Sequence, residues 1–228
     1  MKKLLIGVLA LVVLVVGGFF AAYFLWWKSD PEPKAEIEET PVVTGDEAGG
    51  LDGTYTLTAG EADSFVGYRV VEQFAAAVVE STATGRTSDV EGTFTIAGDT
   101  VEDVSVTANL TTLTSDKEMR DNRIKTLGLE SESFPESTFV LTEPIQLPAA
   151  PQAGETVTID ATGDFTLHGV TQPVTIPIEA RWDGQDIQLV GSLPVEFADY
   201  DMDAPNIGGF VSVQDHGDME FQLFFRKA

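Results

Sequence analysis

Residues 174–197 read VTIPIEARWDGQDIQLVGSLPVEF, and this stretch decides the fold class. Apolar residues alternate with polar ones on both sides of Asp183-Gly184, a pair of residues typical of tight turns. A period of two is the pattern of a strand that packs one face on a core and exposes the other face to solvent. The stretch therefore predicts an antiparallel hairpin.

The same alternation continues on both sides of this hairpin through most of residues 51–228. A second hairpin is predicted around Gly98-Asp99, and helices are expected only near residues 72–79 and 116–126, with Asp116 as the N-terminal cap of the second helix. About eight strands joined by short turns lose their free edges when they close into a barrel. We therefore predict an all-β fold, an antiparallel up-and-down barrel of about eight strands with one or two short helices.

The predicted inward-facing rows are almost wholly apolar and mix small residues with aromatic ones. A barrel of this size has room either for packed side chains or for one slender ligand, and the composition leaves both interpretations open. The residues expected to line the tail of such a ligand are Val66, Tyr68, Val70, Phe94, Ile96, Val106, Ala108, Phe139, Leu141, Ile159, Ala161, Gly163, Phe165, Leu167, Ile176, Ile178, Ala180, Leu189 and Leu193.

The N-terminal part of the chain carries an apolar run without a charge from Leu4 to Trp27. As a helix this run spans about 36 Å, enough to cross a bilayer. Lys2 and Lys3 before the run favour a cytoplasmic N-terminus. We predict a single-pass signal-anchor helix over residues 1–28 in the cell membrane, with the rest of the chain extracytoplasmic. A cleaved signal peptide is the alternative, and it leaves the domain on the same side.

Residues 29–50 are rich in Pro, Glu and Gly, and we expect a disordered linker there, followed by one domain over residues 51–228. The domain has 30 acidic and nine basic residues, a net charge of −21, so nucleic acid is not an expected partner. The whole chain has no cysteine and only two histidines, which argues against thiolate and histidine-rich metal sites. We expect no metal and no cofactor.

Short motifs in the domain occur in the order found in a known family. They are Ser64-Phe65-Val66-Gly67-Tyr68-Arg69-Val70, Gly85-Arg86-Thr87, Val90-Glu91-Gly92-Thr93-Phe94, Leu113-Thr114-Ser115-Asp116 with Arg120-Asp121, Phe134-Pro135 with Thr138-Phe139, and Phe165-Thr166-Leu167-His168-Gly169-Val170-Thr171. With these motifs the chain resembles the YceI-like family of polyisoprenoid-binding proteins, in particular its actinobacterial, membrane-anchored form. The resemblance implies a lipocalin-like barrel that holds the tail of a long isoprenoid lipid, such as a polyprenyl phosphate or a quinone, without catalytic activity.

Four residues are candidates for contact with the head group of such a lipid: Arg120, Arg123, His168 and Glu72. The two arginines lie three residues apart on the predicted helix, where they suit either a phosphate group or ion pairs with neighbouring aspartates. His168 ends a predicted strand, where an imidazole suits either a ligand or a loop carbonyl. Glu72 stands where much of the family has a histidine, so the head group cannot be transferred from the family to this chain.

Other classes of function are weighed against this interpretation. An enzyme is not expected, because Asp215-His216 has the composition of a turn and no Gly-x-Ser-x-Gly motif is present. The alternative is an envelope module for interaction or adhesion, with a filled barrel and no ligand. The sequence leaves open whether the domain forms a homodimer.

The two lysines before the apolar run predict on which side of the membrane the domain lies. Protease added to intact cells should cut between Ser29 and Gly50 and release the domain, because the two lysines keep the N-terminus inside. Immunoblotting against tags at either end of the chain measures the result. A domain that stays protected until the cells are lysed contradicts the orientation.

Overall fold

The computed structural model of the protein describes residues 11–19, 21, 28–44, 49–60, 63–74, 79–147 and 151–228. The chain forms two compact units, residues 1–30 and residues 31–228. Residues 11–19 of the first unit are helical, and much of the predicted membrane segment lies outside the described residues. Within the described ranges, no helix combines the length and the apolar character needed to cross a membrane. The signal-anchor helix stays a prediction.

The second unit is built from strands. In chain order they are β1 (Gly53–Leu57), β2 (Phe65–Phe74), β3 (Val79–Thr87), β4 (Val90–Ala97), β5 (Thr100–Asn109), β6 (Thr114–Ser115), β7 (Glu136–Leu141), β8 (Ile145–Gln146), β9 (Thr156–Leu167), β10 (Val170–Trp182), β11 (Ile187–Glu196), β12 (Asn206–Ile207) and β13 (Val211–Lys227). One α-helix, α1 (Glu118–Ile124), and two 3-10 turns, Leu110–Thr112 and Phe197–Tyr200, interrupt them.

Eight strands close into a barrel in the order β1-β4-β5-β7-β9-β10-β11-β13, and β13 returns to β1. All of these pairings are antiparallel, and both predicted hairpins are present as β4–β5 and β10–β11. The prediction of an all-β barrel of about eight strands is therefore confirmed.

The order is not purely up-and-down, because the β2–β3 hairpin does not lie between β1 and β4. It pairs with the N-terminal part of β13 and continues into β6. This branch is possible because β13 is 17 residues long. Its last residues pair with β1, and its earlier residues are left for β2.

The helix predicted near residues 72–79 is wrong where the structure describes it. Residues 72–74 belong to β2 and Val79 to β3, while residues 75–78 lie outside the described residues. Pairing of Glu72 with Ser81 across the hairpin overrides the local helical pattern. The second predicted helix is confirmed as α1, but Lys117 and not Asp116 occupies its N-cap position, and Lys117 makes no side-chain cap hydrogen bond. The carboxylate of Asp116 accepts from Arg120 Nη1.

Residues 31–44, which we call the strap, differ from the free linker that the composition predicts. The strap has no helix or strand, yet it lies across the outside of the barrel, where Glu32 N–H donates to Thr84 Oγ1 at 2.9 Å and Glu38 N–H donates to Gln188 Oε1 at 2.9 Å. Its partners come from five strands, namely Arg69, Thr84, Arg86, Arg181, Gln188 and Gln222. Hydrogen bonds between barrel side chains and the main chain of the strap therefore hold the strap in place, although the strap has too few apolar residues to form a core of its own.

Beneath the strap lies a buried ion cluster. Glu220 is 4% exposed and accepts from Arg69 Nε at 3.1 Å and from Arg86 Nη2 at 3.2 Å. The same guanidinium groups donate to the carbonyl oxygens of Glu32 and Pro33 in the strap. The Glu220 carboxylate therefore binds two arginines that also hold the strap, and Glu32 of the strap supplies a second carboxylate to Arg86 at 3.8 Å. Loss of the cluster is therefore expected to release the strap as well.

The cluster makes a prediction about stability. Replacing Glu220 with Gln removes the carboxylate partner of Arg69 and leaves Arg86 with the more exposed Glu32 alone, which should lower the free energy of unfolding by about 3 kcal/mol. The exposed Glu179 on β10 provides the control, since Glu179→Gln should change stability by less than about 0.5 kcal/mol. Urea unfolding of both variants measures the difference, and equal midpoints would contradict the role of the cluster.

Candidate functional site

The barrel encloses an apolar cavity with about 1150 Å³ of empty space, counting its opening to solvent. It runs from the middle of the barrel to the end that carries the β4–β5 and β10–β11 turns, which we call the hairpin end. Leu51, Leu147, Pro151 and Glu155 lie among its lining residues there. Loop residues of different segments therefore form the rim of the cavity.

Most of the residues predicted to line a ligand tail do line this cavity. They are Val66, Phe94, Ile96, Val106, Ala108, Phe139, Ile159, Ala161, Phe165, Ile176, Ile178, Ala180 and Leu189. Their alternation along the strands explains the result, because residues two apart face the same side of a sheet. The cavity favours a barrel with room for a ligand over a completely filled one.

A second, smaller space of about 510 Å³ lies toward the opposite end, which carries α1 and the β9–β10 turn and is called the helix end. Tyr68, Val70 and Leu167 line it, and it shares Val66 and Phe165 with the large cavity. The two spaces therefore adjoin in the middle of the barrel. Three predicted lining residues, Leu141, Gly163 and Leu193, line neither space.

The small residues of the inward rows have two different roles. Ala108, Ala161 and Ala180 line the large cavity, as the sequence predicted. Gly163 instead makes room for a ring, since a Cβ atom there would lie 2.6 Å from Phe139 Cζ. A Cβ atom at Gly191 would likewise lie 2.9 Å from Phe221 Cε1. The glycines thus accommodate aromatic side chains of neighbouring strands, and the alanines border the empty space.

The candidate head-group residues Arg120 and Glu72 bind each other. Arg120 donates from Nε to Glu72 Oε1 at 2.8 Å and from Nη2 to Glu72 Oε2 at 2.9 Å, and its Nη1 reaches Asp116 Oδ1 at 2.5 Å. Burial opposes the charged form, but the hydrogen bonds and charges of Glu72 and Asp116 raise the pKa of Arg120 above its ordinary value. Two carboxylates around one guanidinium make this cluster a poor place for a phosphate group.

The other two head-group candidates lie elsewhere. His168 is buried on the β9–β10 turn, where its Nδ1 is 3.1 Å from the carbonyl oxygen of Tyr200 and its ring centroid is 4.0 Å from that of Phe134. Arg123 lies one helical turn beyond Arg120 in α1. Neither residue lines either space. The geometry of His168 is that of a residue that holds two loops together.

Two residues at the hairpin end, Tyr55 and Trp182, contribute to the rim and the wall of the cavity, and neither was among the predicted site residues. The Tyr55 hydroxyl donates to the carbonyl oxygen of Leu51 at 2.8 Å, and burial, reinforced by nearby aspartates, raises the pKa of Tyr55 to about 12. Tyr55 therefore stays a neutral donor that fixes Leu51 at the rim. Trp182 lines the cavity, and its indole nitrogen is buried without a hydrogen-bond partner among the described residues. Trp182 shares the alternation of Ile176, Ile178 and Ala180 and so belongs to their inward-facing row, but only the structure reveals its unpaired donor.

One acidic cluster lies on the outer surface. His216 Nδ1 is 2.9 Å from Asp215 Oδ1, and this hydrogen bond raises the pKa of His216 and lowers that of Asp215. With Glu196 they form a group of side chains whose oxygens and nitrogens are close enough to share a metal ion, but all three residues are exposed. None of these three residues lines the large cavity.

Comparisons with known proteins agree with this geometry. The model of the YceI-like domain family matches residues 55–225, which is most of the barrel. A UPF0312 protein of Vibrio parahaemolyticus is 29% identical over 141 residues, covering 58% of this chain and 71% of the relative. Protein YceI of Escherichia coli is 31% identical over 105 residues, 45% of this chain and 51% of the relative. The chain therefore spans about half of that second relative.

Two solved structures share the fold. A polyisoprenoid-binding domain from Saccharophagus degradans, implicated in plant cell wall breakdown, superimposes with a TM-score of 0.60 at 19% identity, covering 76% of this chain and 98% of that domain. BcnA of Burkholderia cenocepacia superimposes with a TM-score of 0.54 at 18% identity, covering 72% of this chain and 96% of the other. At these identities the likeness concerns the architecture.

The ring packing over the glycines is testable. Gly163→Ala should lower the free energy of unfolding by about 1–3 kcal/mol, because the new methyl group collides with the Phe139 ring and with the fixed carbonyl of Val140. Gly50→Ala is the control, since a Cβ atom there meets nothing within 4 Å. Denaturant unfolding of both variants measures the effect. Full stability of Gly163→Ala would show that the ring is not held against this strand.

Proposed function

Since the chain belongs to the YceI-like domain family, we propose that it is a lipid-binding protein that holds the tail of an isoprenoid lipid inside its barrel, for sequestration or transport. The observation that carries the proposal is the apolar cavity, whose described lining residues include just one charged side chain, that of Glu155. A polyprenyl phosphate and a quinone are the two types of ligand considered. The related domain of Saccharophagus degradans is itself described as polyisoprenoid-binding.

The energetics of tail binding suit this cavity. Each isoprene unit buries about five apolar carbons, and at about 0.8 kcal/mol for each buried CH₂ it contributes roughly 4 kcal/mol before the losses of binding. Loss of translational freedom and ordering of the tail remove much of this gain. A few isoprene units inside the barrel therefore suffice for stable binding, and a longer tail gains little more if its end stays outside.

The location of the protein is part of the proposal. The apolar run at residues 4–27 and the lysines before it support a signal-anchor in the cell membrane with the barrel outside, in the manner of the actinobacterial form of the family. A membrane-bound carrier stays next to the bilayer in which isoprenoid lipids reside. The alternative, an interaction module without a ligand, requires a filled interior, which the cavity does not favour. The proposed role is binding and includes no catalysis.

Two measurements test the proposal. Native mass spectrometry of the purified protein, followed by solvent extraction, should detect a co-purifying isoprenoid lipid. Ala161→Phe should lower lipid affinity at least about tenfold while the ligand-free protein keeps its stability, because the new ring occupies the cavity. Thr158→Phe, on the exposed face of the same strand, is the matched control and should leave binding unchanged.

The opposite pattern would refute the carrier. If no lipid co-purifies and Ala161→Phe lowers the free energy of unfolding by about 1–3 kcal/mol, the interior is packed in solution. The interaction module would then be the better description.

A further inference from the structure

The two apolar spaces inside the barrel meet at one level. The residues that line both spaces, which we call the dividing layer, are Val66, Ser137, Phe165 and Met219. On β9, Ala161 lines only the large cavity, and Leu167 lines only the smaller space. On β13, Phe221 and Gly217 flank Met219 in the same way. The dividing layer therefore lies between the two spaces.

The members of the dividing layer come from opposite walls of the barrel. Phe165 is on β9 and Ser137 on the neighbouring β7, whereas Met219 is on β13 and Val66 on its partner β2. In the ring of eight strands, β7 and β13 lie four strands apart in either direction. Side chains of the two walls therefore approach each other across the middle of the barrel.

The members of the dividing layer differ in how easily they move. Phe165 is 3% exposed, and its ring packs edge-on against Tyr200 with the centroids 5.7 Å apart. The buried Ser137 hydroxyl donates to the carbonyl oxygen of Thr166 at 3.0 Å. Met219 is half-buried, and its unbranched side chain has three rotatable bonds. Met219 is therefore the member that changes its rotamer most readily.

The smaller space behind the dividing layer suits hydrocarbon. Apart from Tyr68, Ser137 and Asp218, its described lining residues have apolar side chains or are glycine. Removal of apolar surface from water is favourable roughly in proportion to its area. A lipid tail that passes the dividing layer therefore gains burial that a tail in the large cavity alone does not have.

We propose that Phe165 and Met219 set the length of the lipid tail that the barrel holds. The tail occupies the large cavity up to the dividing layer, and a longer tail enters the smaller space only when the Met219 side chain turns aside. This inference rests on the proposed function, because it concerns the tail of the same ligand. It makes no use of the head group, since selection takes place in the middle of the barrel.

The test uses the full chain in detergent and a series of linear prenyl alcohols with two to six isoprene units. These probes share one head group, so they differ only in tail length. Ultrafiltration and chromatography of the retained alcohol measure the affinity for each probe. The ratio of variant to wild-type affinity is the measured quantity, because the partition of a probe into detergent cancels in this ratio.

Two variants open the dividing layer from opposite walls. Phe165→Ala removes the ring, and Met219→Ala removes the movable side chain with a smaller loss of buried surface. In both variants the affinity ratio should stay near or below one for the shortest probe and rise at least about tenfold along the series, because additional isoprene units become buried. Met219→Ala keeps the test decisive if Phe165→Ala does not fold.

Two further variants are controls. Ile178→Ala truncates a residue that lines only the large cavity, and Ile178 pairs with Ile159, six positions along β9 from Phe165. This variant should lower the affinity for all probes to a similar extent, without a rise along the series. Leu129 lines only the smaller space, so Leu129→Trp added to Met219→Ala should abolish the rise by filling that space.

The outcomes separate the two proposals. If the wild-type protein retains no prenyl alcohol of any length, the proposed function is wrong. If it retains them but the affinity ratios of both opening variants stay flat along the series, the carrier stands and the selection by length is overturned. A rise that Leu129→Trp does not abolish, or an equal rise in Ile178→Ala, also overturns it.

Discussion

Closure of the sheet through β13 is the constraint on which the rest of the structure depends. This strand pairs with β11 along most of its length, with β1 at its C-terminal end through Tyr55 opposite Lys227, and with β2 before that. Because it joins both edges of the sheet, the inward faces of eight strands must point at one another and exclude solvent. In this protein side chains fill part of the apolar interior, and a cavity remains in the rest.

The balance between side chains and empty space is set by the small residues. At Gly163 and Gly191 the missing Cβ atom admits a ring from a neighbouring strand, which packs that part of the wall. Ala108, Ala161 and Ala180 line the cavity. The glycines therefore allow aromatic rings to lie against the strands and form part of the cavity wall, whereas the alanines border the cavity with their own small side chains. This distinction explains how one barrel has both a stable shell and room for a slender molecule.

The sequence predicts the parts of this protein that depend on local periodicity. The hairpin around Asp183-Gly184 and most of the cavity wall follow from alternation, because residues two apart face one side of a strand. The strap at residues 31–44 could not be predicted, since its composition is that of a disordered segment and its partners, such as Arg181, lie more than a hundred positions away. The pairing of Arg120 with Glu72 is likewise a contact between distant residues, and the pattern of a basic helix gives no sign of it. The alternation also puts Trp182 in the inward-facing row, but the absence of a partner for its indole N–H depends on the surrounding residues and cannot be seen in the sequence.

The strap also determines how the barrel responds to force. Its attachments are made by side chains of different strands, so tension applied at its N-terminal end loads them one after another, beginning at Thr84 and Arg69. Hydrogen bonds that are loaded one at a time rupture at a lower force than the hydrogen bonds between two paired strands that are loaded together. Peeling of residues 31–52 releases roughly 70 Å of chain before the load reaches β1, which is held on both sides by β4 and β13. The strap can therefore detach and rebind under load while the eight-stranded barrel and its contents stay intact.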